Sequence, residues 1–121
     1  MPLSTDEVDT ESLNNFGTAT APASGAALVT LTTPAAGMYK VRVECCHAAG
    51  TPGAGEDGNF VLRRAAVAIK RMATTRIAGQ QYSCETNIRV DGTQNLSVNT
   101  NGAGTASVVY VASITATRIG D

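Results

Sequence analysis

Between Met38 and Cys46 the side chains alternate without a break: Tyr39, Val41, Val43 and Cys45 fall on one side, Lys40, Arg42 and Glu44 on the other. A period of two marks an extended chain, because successive Cβ atoms leave opposite faces of the pleat. One apolar face and one charged face mean that the strand covers a core and also meets water, the habit of antiparallel sheets. Gln81 to Val90 repeats the pattern, with Tyr82, Cys84, Thr86, Ile88 and Val90 opposed to Ser83, Glu85, Asn87 and Arg89. Two such segments commit the chain to sheet.

Turn chemistry divides the remainder. Ala26 to Leu31 reads as a first strand, closed by Thr33-Pro34 and Ala35-Ala36-Gly37. The stretch from Gly50 to Gly58, rich in glycine and holding Pro52, is a loop. Asn59 to Arg63 is a short strand. Arg64 to Met72 also fits one helical face through Ala65, Ala66, Ile69 and Met72, but its strand neighbours favour a hairpin partner. Asp91-Gly92 predicts a two-residue hairpin returning through Leu96 and Val98, because such turns require positive φ. After Asn101-Gly102-Ala103-Gly104, a last strand is expected from Thr105 to about Ile119. It carries Val108, Tyr110, Ala112 and Ile114 on one face and Val109 and Val111 on the other. A strand apolar on both faces needs cover on both, which makes Val109 and Val111 the candidate oligomer interface. The expected fold is all-β: an antiparallel β-sandwich or jelly roll of seven or eight strands with an extended N-terminal arm.

Composition agrees. The 121 residues suffice for one domain, Trp is absent, and five aromatics serve the whole chain beside 12 Gly. A helical bundle would want more Leu, Glu and Lys. No apolar run approaches the length of a bilayer span, and acids stand where a signal peptide would carry bases. Neither a membrane nor nucleic acid is an expected partner; a net charge of −1 gives no bulk attraction for phosphate. Three cysteines, two of them adjacent, do not make a secreted disulfide framework, although a Cys45–Cys84 bridge stays open. A reducing place of synthesis is the simplest expectation.

Little in the sequence promises chemistry. Cys45, Cys46, His47 and Cys84 are soft ligands, but on a strand Cys45 and His47 share a face that Cys46 leaves, and zinc pairs are spaced more widely. Glu56, Asp57 and Asn59 lack the spacing of a calcium loop. The glycines around them precede no Gly-Lys-Ser/Thr. His47 is the only histidine and has no nucleophile elbow to serve. Asn95-Leu96-Ser97 matches a glycosylation sequon by accident. No metal, cofactor or enzymatic activity is expected.

Charge is distributed more tellingly. Asp6, Glu7, Asp9 and Glu11 give the N-terminal stretch four acids and no base, with Phe16 as a sizeable apolar group. Residues 1–24 are therefore assigned to an acidic arm, extended or disordered, and 25–121 to the domain. Without those acids, nine bases stand against six acids. Five of the nine, Arg63, Arg64, Lys70, Arg71 and Arg76, fall within fourteen residues. Such a cluster keeps a sheet edge soluble or receives an acidic protein surface.

The run Thr33-Pro34-Ala35-Ala36-Gly37-Met38-Tyr39-Lys40-Val41-Arg42-Val43 resembles the Gly-x-Tyr-x-Val strand of jelly-roll domains of the tumour-necrosis-factor and complement-C1q type. Gly50-Thr51-Pro52, Asn59-Phe60-Val61-Leu62-Arg63 and Val108-Val109-Tyr110-Val111-Ala112-Ser113-Ile114 resemble jelly-roll decoration or cement proteins on the heads of tailed bacteriophages. The likeness covers residues 25 to 120. It implies a structural virion protein made in the host cytoplasm, a homo-dimer or homo-trimer on the outer capsid surface that stabilises contacts between major capsid proteins. The capsid-contact candidates are then Asp6, Glu7, Asp9, Glu11, Phe16, Arg63, Arg64, Lys70, Arg71 and Arg76. A rival expectation is a carbohydrate- or receptor-binding jelly-roll module of a phage fibre or spike, which would expose aromatics at a concave face.

Overall fold

The computed structural model describes residues 12–32, 34–53, 56, 58–72, 74, 77–105 and 107–121. Asp6, Glu7, Asp9, Glu11 and Arg76 lie outside them. Eight strands follow in order: β1 (Ser12–Thr20), β2 (Ala27–Leu31), β3 (Gly37–Ala49), β4 (Phe60–Arg64), β5 (Val67–Met72), β6 (Tyr82–Val90), β7 (Leu96–Thr100) and β8 (Val109–Gly120). They form two four-stranded sheets, β1-β8-β3-β6 and β2-β7-β4-β5.

Pairing is antiparallel throughout and nested: β1 with β8, β2 with β7, β3 with β6, β4 with β5. The chain is thus one long double ribbon wrapped so that its two faces become two sheets, which is a jelly roll. The core lies between them. Tyr39, Val41, Val43 and Cys45 from β3 meet Phe60, Leu62, Leu96 and Val98 from the opposite sheet, all buried. The alternating face of Met38–Cys46 is therefore the inner face of a central strand. The segment from Arg64 to Met72 contributes β5, hairpin-paired with β4 as expected.

Two local expectations are corrected. Asp91-Gly92 does not close a tight hairpin, because β6 and β7 belong to different sheets. Instead the Asp91 carboxylate accepts from Thr93 N at 2.8 Å and Thr93 Oγ1 at 2.6 Å, bending the chain across the end of the sandwich. Gly92 takes the required φ of +90°. The last strand begins at Val109 rather than Thr105, since Ser107 sits at φ +70° and turns the chain into it.

Residues 12–20, grouped in the sequence reading with the arm, form β1, paired along its length with the central strand β8. Of its inward residues, Leu13 and Ala19 pack against the core, while Asn15 and Gly17 let β2 of the other sheet come close. Asn15 Nδ2 donates to Thr30 O at 2.9 Å. At Gly17 an added Cβ would stand 1.8 Å from Leu28 O. Backbone approaches backbone here, and the sandwich is closed along the β1/β2 side.

Candidate docking surfaces

Three features of the surface and its supports bear on function. The first is the outer face of the β1-β8-β3-β6 sheet. Phe16 lies opposite Ser113, and Thr18 opposite Val111, in the β1–β8 register. Val111 in turn lies opposite Cys46 of β3. Phe16, Val111, Cys46, Glu44, Ser113 and Gln81 line a shallow hollow of about 140 Å³. Phe16 is 63% exposed. Sequence reasoning had placed Phe16 in a capsid contact and Val109 and Val111 in an oligomer interface. The structure brings Phe16 and Val111 to one hollow. It also shows that the second face of β8 is half-buried by its neighbours β1 and β3, with Ser113 and Thr115 continuing it in place of further apolar groups. The demand for a second cover is confined to the Val109–Val111 end.

The second feature is the side opposite β1/β2. There β5 and β6, each the last strand of its sheet, leave a groove of about 420 Å³. Lys70, Arg71, Met72, Tyr82, Cys84 and Glu85 line it. Cys84 Sγ donates to Met72 Sδ at 3.3 Å, so the floor is apolar and polarizable.

The bases that looked like one cluster are spread by the strands that carry them. Arg63 and Arg64 end β4, where both are half-buried and Arg64 Nη1 donates to Arg89 O at 2.9 Å. Arg71 Nε donates to Gly58 O at 2.6 Å, tying β5 to the preceding loop. Lys70 is exposed at the groove.

The third feature supports the others from within, and sequence reasoning missed it. Glu56 is buried, and its carboxylate accepts from Tyr110 Oη at 2.7 Å, Thr105 Oγ1 at 2.7 Å and Gly53 N at 2.5 Å. Burial alone would push this carboxyl upward; the donors from Tyr110, Gly53 and Thr105 outweigh it and hold the group below the ordinary Glu value. Asn59 Nδ2 donates to Tyr110 Oη at 2.8 Å, while its Oδ1 accepts from Asn101 N at 2.7 Å and Gly102 N. His47 is enclosed by Phe60 and Tyr110, with ring centroids 5.2 and 4.8 Å away. These groups clamp the β3–β4 and β7–β8 loops to β8 at one end of the sandwich. Among the described residues, no three His, Cys, Asp or Glu side chains are grouped to hold a metal ion, and no helix is long and apolar enough to cross a membrane. Cys45, Cys46 and Cys84 are free thiols.

No protein-family model matches the sequence, and no curated protein matches it. Solved structures do match in fold. PRD1 vertex protein P5 is 14% identical, with 93% of this chain and 97% of that chain covered and a TM-score of 0.50. The C-terminal CBM6 of LamC from Zobellia galactanivorans is 11% identical over 90% of this chain and 99% of that one, with a TM-score of 0.48. The globular domain of zebrafish complement 1qA is 10% identical over 88% and 94%, also with a TM-score of 0.48. The fold is thus that of jelly-roll domains, PRD1 vertex protein P5 among them.

Proposed function

We propose that this chain is a structural protein of a phage virion, a decoration or cement protein. On this reading it binds the outer surface of the head and stabilises contacts between major capsid proteins. The observation that carries the reading is Phe16. A chain with only five aromatics spends three in its core, as Tyr39, Phe60 and Tyr110 are fully buried. Yet it holds one out on an edge strand, beside Val111 and Cys46. An exposed aromatic over a small hollow with an apolar centre and a polar rim of Glu44, Gln81 and Ser113 has the form of a protein-contact anchor. Its support is rigid, since β1 is paired along its whole length and braced by Asn15 and Gly17.

The reading assigns no catalysis. Both carboxylate oxygens of Glu56 are engaged by donors, and the imidazole of His47 sits between two aromatic rings. The fold shared with PRD1 vertex protein P5 suits a virion location. A small contact repeated at every symmetry-related position gains strength by multivalency, so one anchor per copy is enough.

The test is co-sedimentation of the protein with empty heads, together with the temperature of heat-triggered genome release. The wild-type protein is expected to sediment with the heads and raise the release temperature. Phe16→Ser should lose about 2 kcal/mol of binding, roughly thirtyfold, with the fold unchanged. Absence of head binding by the wild-type protein, or specific retention on a glycan array instead, overturns the reading.

A further inference from the structure

We propose that the groove between β5 and β6 receives an acidic extended segment, and that the segment is residues 5–11 of a second copy of this chain. The inference stands on the groove and on the sequence and does not depend on the capsid reading.

The two sides of the sandwich are built differently. Along β1/β2 the backbones meet at Gly17 and Leu28. Along β5/β6 they stand apart by the groove, and among the described residues β6 pairs on one side only, with β3. Its inward residues record the difference. Ile88 and Val90 are buried, whereas Tyr82, Cys84 and Thr86, at the groove half of the same strand, are only half-buried. Among the described residues, that half of β6 has the burial profile of a strand covered on one side only. An added strand would lie along the edge of β6 away from β3, cover Tyr82, Cys84 and Met72, and pass Lys70. The groove's own carboxylate, Glu85, is paired with Arg42 at 3.8 Å, so the fitting occupant is extended, with a small apolar residue for the floor and carboxylates for Lys70.

Thr5-Asp6-Glu7-Val8-Asp9-Thr10-Glu11 meets that description. In an extended chain Val8 lies between Asp6 and Thr10 on one side, and Glu7, Asp9 and Glu11 occupy the other. This segment holds four acids and no base and leads directly into Ser12, the first residue of β1.

The segment is too short to lie in its own groove. β1 and β6 are opposite ends of one sheet, so a strand added beyond β6 lies four strand spacings away, roughly 19 Å. Ser12 also shares a row with Thr117, Lys40 and Asn87, while the groove lies further along β6 at Tyr82 to Glu85. Six extended residues, 11 back to 6, cover only about 20 Å. The acids would be used up in crossing. In a neighbouring copy no crossing is needed, and the contact becomes head-to-tail, from the β1 side of one copy to the β5/β6 side of the next.

The test uses full-length chains and charge exchange, read as mass against concentration by sedimentation equilibrium, with thermal melts as a control for folding. The wild-type protein is expected to self-associate, less so as salt rises. Lys70→Glu and the double variant Asp6→Lys/Asp9→Lys should each weaken association about tenfold. Mixing the two variants should restore a heterodimer, because the reversed segment of one then fits the reversed groove of the other. A wild-type protein that stays monomeric overturns the proposal, as do variants that associate like wild type or a mixture that forms no heterodimer. A Lys70→Glu protein that keeps its self-association but loses a different binding partner overturns it too, by assigning the groove to that partner.

Discussion

The hydroxyl of Tyr110 donates to the carboxylate of Glu56 across 2.7 Å inside the end of the sandwich, joining the loop before β4 to the strand β8. Burial pushes the Tyr110 phenol up, and the hydrogen bond to Glu56 adds to that. Glu56 itself is held below its ordinary value. A carboxyl depressed in the folded state contributes stability above its unfolded pKa and loses it as pH falls through the folded value. The acid limb of stability against pH should therefore steepen through Glu56, and Glu56→Gln should flatten it. At neutral pH, Glu56→Gln and Tyr110→Phe should each cost about 1–3 kcal/mol, since each leaves a buried polar partner unpaired. Urea melts of the three proteins between acid and neutral pH check this; equal acid limbs would refute the role of Glu56.

Gly17 should tolerate no side chain. A Cβ there would stand 1.8 Å from the carbonyl oxygen of Leu28, which is backbone and cannot swing aside. Gly17→Ala is expected to cost about 2–3 kcal/mol by overpacking. The loss should be local, because β1 is an edge strand that can separate from β2 and β8 while the remaining strands stay paired. Hydrogen exchange should show β1 amides losing protection ahead of those of β3.

How far the sequence foretold this depends on where each partner lies along the chain. The strands β3 and β6 were legible because alternation is a local property, and their inner residues are the ones the period assigns to one face. β1 was not, because its inward set of Leu13, Asn15, Gly17 and Ala19 has no apolar rhythm; it is shaped by the close approach of β2, a tertiary demand. Asp91-Gly92 was misread for a related reason. The turn chemistry is right, with φ +90° at Gly92, but whether the flanking strands pair is set by which sheet each one joins. Glu56 stands in a glycine-rich loop that reads as solvated, and its partner Tyr110 is 54 positions away. Phe16 could be singled out as apolar among polar residues, yet its meeting with Val111 required the β1–β8 register.

Ala65 offers a stabilising change. It sits at φ +52° in the turn between β4 and β5, a region that costs an L side chain about 1 kcal/mol or more. Its N–H donates to Asn95 O at 2.8 Å, so the conformation is fixed by a contact that glycine keeps. Glycine relieves the strain and returns part of the gain through the freer unfolded chain. Ala65→Gly should raise stability by about 0.5–1 kcal/mol, a Tm increase of roughly 2–4 °C for a domain of this size. Calorimetry with Ala66→Gly as a comparison separates turn strain from a general effect of glycine.

The three thiols should respond to alkylation in an order set by burial and register. In the β3–β6 pairing Cys45 lies opposite Tyr82 and Cys84 opposite Val43, so the two sulfurs are diagonal rather than facing. Diagonal positions stand about 7–8 Å apart, beyond the reach of an unstrained disulfide. Cys45 is buried in the core, and burial first, then the neighbouring Cys84 and Cys46, pushes its thiol up to about 12. Burial also raises Cys46 and Cys84, but both are half-buried and open onto the outer hollow and the β5/β6 groove respectively. Lys70 beside Cys84 partly offsets the rise there. Since the thiolate is the reacting form, native protein near pH 8 should lose two thiols to iodoacetamide and protect the third until it unfolds. Peptide mapping should place the protected thiol at Cys45 and show Cys84 slowing in Lys70→Glu, where the offsetting charge is gone. Labelling of Cys45 at the rate of the other two would contradict the packing of β3 against the opposite sheet.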